Sequence, residues 1–171
     1  MDSKLESLRK LSQLQTQVYD LFLQSEATKA SGDYVAAHSI YQVYIANGRT
    51  YLQAALDFTK QFPDLPQEIP PIAQTLVNAL MVDADIIQSI GDRTAAEALR
   101  EEALEVSRIH LGRKGTANSE RARAGALTTE GRFNEAIVAL MSARELFLEE
   151  GDLLALARVT IDLADILKWL G

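Results

Sequence analysis

The sequence predicts an all-α fold built from repeated antiparallel helix pairs, and two observations carry this prediction. Gly91, Gly131 and Gly171 fall forty residues apart. Small residues keep the same offset before them, seven positions earlier in each case: Ala84, Ala124 and Ala164. Self-similarity at a period of about 20–50 residues is typical of helical arrays, in which each pair buries its apolar face against its neighbours. The chain is also rich in helix-forming residues, and it offers no clean strand alternation of apolar and polar residues.

Residues 1 to 62 are expected to form the N-terminal helices, as one degenerate repeat plus an extra helix. Apolar residues at three- and four-residue steps predict a first helix over residues 3 to 31, which ends at Ser31-Gly32-Asp33. A second helix starts near Tyr34. Because Asn47-Gly48 marks a break or a kink, residues 34 to 62 form either one helix or two.

All four prolines lie within nine residues: Pro63, Pro66, Pro70 and Pro71. Proline lacks an amide proton and restricts the residue before it, which predicts an extended linker over residues 63 to 70. The repeats then occupy residues 71 to 171, and the last repeat is truncated. Their predicted helices cover residues 71–89, 94–110, 118–129, 133–149 and 153–170. Residues Gly112 to Gly115 are assigned to a turn.

Three segments resemble the turn and second-helix start of tetratricopeptide repeats. They are Gly-Asp-Tyr-x-x-Ala at 32–37, Gly-Asp-Arg-x-x-Ala at 91–96 and Gly-Arg-Phe-x-x-Ala at 131–136. The resemblance implies close helix pairs in which small residues face each other: Ser25 with Ala37, Ala84 with Ala96, and Ala124 with Ala136. The forty-residue period, in place of the usual period of about 34 residues, is similar to a variant found in large signalling proteins and in proteins carrying caspase-like domains.

Composition argues against several functional classes. With no cysteine, a disulfide framework and a thiolate zinc site are excluded. No stretch approaches the roughly twenty apolar residues that span a bilayer, and the N-terminus lacks a signal-peptide core. A cytoplasmic protein that binds no membrane is therefore expected.

Nucleic-acid binding is also not expected. The formal charge is -7, and residues 61 to 171 hold the whole acidic excess. A local basic cluster consists of Arg108, Arg113, Lys114, Arg121 and Arg123. Since no aromatic residue accompanies these side chains to stack on bases, they are interpreted as solvated, helix-terminal charges, with a phosphate-binding patch as the alternative.

Catalysis has no support in the sequence, and no cofactor or metal is expected. His38 and His110 are the only histidines and are interpreted as packing residues. Asp83 and Asp85 diverge by about 200° on a helix and cannot share a metal ion or a proton. Asp162 and Asp165 share a helix face, which is interpreted as an acidic groove.

The resemblance implies that the first helices of successive pairs line a concave groove for a partner. The groove residues are expected to be Asn78, Val82, Asp85, Ser89, Asn118, Arg121, Gly125, Thr129, Arg158, Asp162, Asp165 and Trp169. Asp85, Gly125 and Asp165 stand where a carboxylate clamp would carry asparagine-type groups, so such a clamp is not expected. The partner is expected to be a protein or peptide of basic or amphipathic character. For Trp169, core packing is the alternative to a ligand contact.

The sequence thus favours a protein–protein interaction scaffold or adaptor, expected to be the N-terminal part of a larger regulatory protein. The alternative is a regulatory domain that senses a peptide or a small ligand. The last helix is apolar around much of its circumference, including Leu167 and Trp169. Three explanations stay open for this helix: the chain continues beyond Gly171, the helix self-associates with a second copy, or it packs inward.

Overall fold

The structure, a computed structural model, describes residues 2–170, with side chains from residue 3 onward. Over this range the chain is all-helical and contains no strand, which confirms the predicted all-α class. Seven helices follow one another: α1 (Asp2–Ala30), α2 (Tyr34–Gln61), α3 (Ile69–Ile90), α4 (Arg93–His110), α5 (Gly112–Thr129), α6 (Phe133–Glu149) and α7 (Leu153–Leu170). Within residues 2–170, no helix has both the length and the apolar character needed to cross a membrane.

Helix α2 is continuous through Asn47-Gly48, so residues 34 to 61 form one helix and there is no separate extra helix. The reason for the glycine is packing rather than a break. Gly48 is buried, and a Cβ atom there would lie 3.3 Å from Leu76 Cδ1 on α3. The missing side chain therefore lets α3 approach α2 closely.

The chain divides into two compact units, and the division lies inside α4, between Leu99 and Arg100. The sequence places the division at residues 63 to 70 instead. In the structure α2 and α3 contact each other across that segment. Helix α3 already begins at Ile69, with proline in its first turn, where the missing amide proton costs no hydrogen bond. The prolines therefore shape a turn between two helices of the first unit.

Helix α5 begins at Gly112, six residues before the predicted start, so the assignment of residues 112 to 115 to a turn is wrong. Gly112 has a φ of +64°, a left-handed conformation that glycine adopts without strain. Only Leu111 separates α4 from α5. The change of chain direction between α4 and α5 is therefore complete at Gly112, and the residues after it continue as helix.

In the second unit, the core is built from α5, α6 and α7. Its buried residues are Ala117, Ala124, Leu127, Ala136, Ala139, Leu140, Ala143, Phe147, Val159 and Ile166. Half of these residues are alanine, so the helix backbones approach closely and larger side chains fill the spaces on either side.

Replacing Ala136 with leucine tests this close packing. Ala136 is fully buried, so the larger side chain must displace its neighbours, and we expect the free energy of unfolding to fall by about 1–3 kcal/mol. Urea unfolding followed by circular dichroism measures the change. Val138→Leu, on the exposed side of the same helix, is the control and should stay within about 0.5 kcal/mol of wild type. Equal stability of both variants would contradict a tight environment at Ala136.

Candidate functional site

The structure distributes the twelve predicted groove residues over three locations. Six line a cavity between α5 and α7, the α5–α7 groove: Asn118, Arg121, Gly125, Asp162, Asp165 and Trp169. Two line a second cavity formed by α1, α2 and α3, the α1–α3 groove: Asn78 and Val82. The other four lie on the surface and line neither groove: Asp85, Ser89, Thr129 and Arg158.

The α5–α7 groove encloses about 470 Å³ in the second unit. Arg121 Nε donates a hydrogen bond to Asp162 Oδ2 across it, at 2.6 Å, which ties α5 to α7. A Cβ atom at Gly125 would meet no atom within 4 Å, so the glycine leaves open space on the α5 side. Trp169 also lines the groove, with 78% of its surface exposed. The groove thus combines apolar lining residues, such as Leu140 and Ile166, with one internal ion pair and one exposed aromatic ring.

The α1–α3 groove encloses about 420 Å³ in the first unit and is aromatic. Tyr41 and Tyr44 are buried, whereas Tyr19 and Phe22 on α1 are 60% and 40% exposed. The ring of Tyr44 contacts both Phe22, with ring centroids 6.2 Å apart, and Tyr41, at 5.9 Å. One wall of the α1–α3 groove therefore consists of aromatic rings, some buried and some exposed.

Glu26 is the one charged residue among the fourteen that line the α1–α3 groove. Its Oε1 atom accepts a hydrogen bond from the Tyr41 hydroxyl at 2.5 Å and another from Lys29 Nζ at 3.0 Å. The hydrogen bond from Tyr41, with the smaller contribution of Lys29, holds the pKa of Glu26 below its ordinary value. Burial raises the pKa of Tyr41 above its usual range, so its hydroxyl stays a donor. The carboxylate is therefore ionised and already satisfied within the protein.

Sequence reasoning missed most of this aromatic groove. The signal was available, because all five tyrosines lie between residues 19 and 51. Four of them line the groove, and the exception is Tyr34. The spacing of Gly91, Gly131 and Gly171 instead highlights the later part of the chain, which contains no tyrosine after Tyr51.

A second missed feature is a polar pair between α2 and α3. Asp83 is only 1% exposed, and His38 Nδ1 lies 2.8 Å from its Oδ1. Burial raises the pKa of Asp83, and the hydrogen bond from His38 opposes that shift. His38 is therefore the partner of a buried carboxylate rather than a packing residue alone. Among residues 2–170, no group of three or more metal-ligating side chains could hold a metal ion.

The basic cluster around the α4–α5 turn is paired with acidic side chains. Arg108 lies near Glu105 and Glu120, and the other contacts are Arg113–Glu149, Lys114–Asp152, Arg121–Asp162 and Arg123–Glu101. Each basic group thus has an acidic neighbour within 4 Å. Neighbouring carboxylates therefore partly neutralise the positive charge of this cluster.

Comparison with known proteins adds a distant likeness. No protein-family model matches the chain, and no curated protein matches its sequence. Among solved structures, the fold is similar to the crystal structure of BtubC (BKLC) from P. vanneervenii, with a TM-score of 0.49 and 15% sequence identity. The match covers 96% of this chain and 82% of that one. A likeness at this level does not extend to function.

Proposed function

We propose that the protein is a non-catalytic interaction module that binds an amphipathic segment of a partner protein in the α1–α3 groove. One observation carries the proposal: exposed Tyr19 and Phe22 border a cavity whose floor is made of buried tyrosines. Tyrosine and phenylalanine are enriched at the centres of protein interfaces, where they bury a large apolar area. Scaffold or adaptor work in the cytoplasm, as expected from the sequence, remains part of this proposal.

The charge distribution of the α1–α3 groove favours a partner segment that inserts apolar side chains over one that inserts basic side chains. The carboxylate of Glu26 already receives hydrogen bonds from Tyr41 and Lys29. A basic side chain that entered would have to compete with Lys29, whereas aliphatic side chains would contact the rings directly. An amphipathic helix presents such side chains at i, i+3, i+4 and i+7. The α5–α7 groove, which carries Asp165, suits the basic residues of a partner better.

We also propose that the helices form antiparallel pairs of the tetratricopeptide type. Two observations support this. The small residues that the resemblance assigns to helix crossings are all buried: Ser25, Ala37, Ala84, Ala96, Ala124 and Ala136. Successive helices α1 and α2, and likewise α5 and α6, contact each other. In such arrays, partners bind to the concave surface that the stacked repeats form. In this proposal the α1–α3 groove is part of that surface.

A selection experiment tests the binding proposal. Peptides from a displayed random library are selected on the immobilised chain, and we expect enrichment of sequences with apolar residues at helical spacing. The double variant Tyr19→Ser, Phe22→Ser should weaken their binding by about 2 kcal/mol, roughly thirty-fold in Kd, because both rings lose their contact area. Isothermal titration calorimetry measures Kd.

The control is Val43→Ser, which removes an exposed apolar side chain of α2 that does not line the groove. It should leave Kd unchanged. If the selection yields no peptides, or if the selected peptides bind the double variant as tightly as the wild type, the proposal fails.

Ligand sensing is the second candidate, because the cavity volume of about 420 Å³ lies in the range of small-molecule sites, about 300–1,000 Å³. A thermal-shift screen separates the two functions. A ligand at a hundred times its Kd stabilises the folded state by about 2.7 kcal/mol. Stabilisation by apolar small molecules, with no peptide enriched, would favour sensing over scaffolding.

A further inference from the structure

We propose that the outer face of α7 pairs with α7 of a second copy of this chain, in an antiparallel arrangement with two-fold symmetry. The outer face consists of Leu153, Leu154, Ala157, Ile161, Ala164 and Leu167. Its four large residues are between 56% and 74% exposed. On the opposite side of the helix, Val159 and Ile166 are buried in the core of the second unit. Helix α7 is therefore apolar on two sides, and only one of them is covered within the chain.

The outer face is self-complementary about Ile161. Ala157 lies four residues before Ile161 and Ala164 three residues after it, while Leu153 and Leu167, which share one edge of the face, lie eight before and six after. In a two-fold interface, each contact between two different positions occurs twice. An axis near Ile161 therefore places Ala157 opposite the partner's Ala164, and Leu153 opposite the partner's Leu167. The facing alanines let the two helices approach closely.

Two charges at the edge of this face fit the same axis. Arg158 lies three residues before Ile161, Asp165 lies four residues after it, and both are exposed. An antiparallel pair brings Arg158 beside the partner's Asp165, and symmetry repeats the contact. A parallel two-fold pair would instead put the edge with Arg158 and Asp165 of one copy on the opposite side of the interface from the same edge of the other copy, so these charges would not meet. Attraction between opposite charges thus favours the antiparallel pair.

This surface lies in the second unit, whereas the proposed function rests on the α1–α3 groove in the first unit. The two proposals can therefore fail separately. The variant Tyr19→Ser, Phe22→Ser should weaken peptide binding roughly thirty-fold and leave self-association unchanged. Sedimentation velocity measures self-association over a wide range of protein concentration, and we expect a reversible monomer–dimer equilibrium for the wild-type chain.

A central substitution and a charge exchange test the geometry. Ile161→Glu places a carboxylate near the axis in both copies and should shift the chain to monomer, with the helical circular dichroism signal unchanged. Val138→Glu introduces the same charge at an exposed site on α6 and should leave the dimer intact. Arg158→Asp and Asp165→Arg alone should each raise the dimer Kd by about ten-fold or more. The double variant should restore it, because the exchanged charges attract again.

The charge exchange keeps the proposal testable even if Ile161→Glu disturbs folding. A wild-type chain that stays monomeric at every concentration would overturn the proposal, as expected if this face binds a different protein or another segment of a longer chain. A dimer that tolerates Ile161→Glu would overturn it as well. Failure of the double charge variant to recover the affinity would reject the antiparallel two-fold arrangement.

Discussion

His38→Ala is expected to lower the free energy of unfolding by about 3 kcal/mol at neutral pH. The substitution removes the hydrogen-bond partner of Asp83, which is almost completely buried between α2 and α3. An ionised carboxylate left in a buried site without its partner bears its full desolvation cost. Urea unfolding measures the loss. His38→Gln, which can still donate a hydrogen bond, should recover part of it.

The same pair predicts how the loss depends on pH. Burial raises the pKa of Asp83 above its value in the unfolded chain, and the hydrogen bond from His38 restrains that rise. Without His38, the pKa of Asp83 should rise further. The folded state then binds a proton more readily than the unfolded state, so stability is gained as pH falls through the folded-state pKa. The destabilisation of His38→Ala should therefore shrink at acid pH.

Asp83→Asn supplies the control, since an asparagine has no proton to bind in this range. The stability difference between His38→Ala and the double variant His38→Ala, Asp83→Asn should depend on pH and be largest at neutral pH. Other carboxylates contribute equally to both variants and cancel in this difference. A difference that is constant from neutral to acid pH would show that Asp83 is not the titrating group.

Local sequence signals predicted the helices well where the chain is regular. The observed bounds of α6 and α7 coincide with the predicted ranges, because a glycine and a polar residue precede each helix and apolar spacing continues through it. The start of α5 was missed for an equally local reason. Glycine residues at positions 112 and 115 suggested a turn, but only Gly112 adopts a left-handed conformation, and Gly115 is helical.

Contacts between distant residues could not be predicted in the same way. His38 and Asp83 are 45 positions apart, and neither residue carries a local sign that it will meet the other. The α1–α3 groove likewise depends on three helices that approach one another. In the second unit, six of the residues expected in a groove line one cavity, because α5 and α7 both pack against α6 and present residues at helical spacing to that cavity. Arg158 and Thr129 fall outside it. Helical periodicity shows which face of a helix a residue occupies, but it does not show where a cavity ends along that face.

Gly115→Ala is expected to lower the free energy of unfolding by about 3 kcal/mol or more. Gly115 is buried in the first turn of α5, and a Cβ atom there would lie only 2.1 Å from Leu111 Cβ. Because that atom is attached directly to the Leu111 backbone, a change of rotamer cannot move it away. The α4–α5 connection would have to shift, and the core contacts of α5 would shift with it.

Gly125→Ala is the matched control on the same helix. A Cβ atom at Gly125 would meet nothing within 4 Å, so alanine should raise the free energy of unfolding by about 0.5–1 kcal/mol through its higher helix propensity. The two substitutions are chemically identical, and therefore their opposite signs would isolate the steric effect of Leu111. Urea unfolding of both variants gives the comparison. If Gly115→Ala were as stable as Gly125→Ala, Leu111 would not pack against the first turn of α5. The chain reversal between α4 and α5, which is completed at Gly112, would then be wrong.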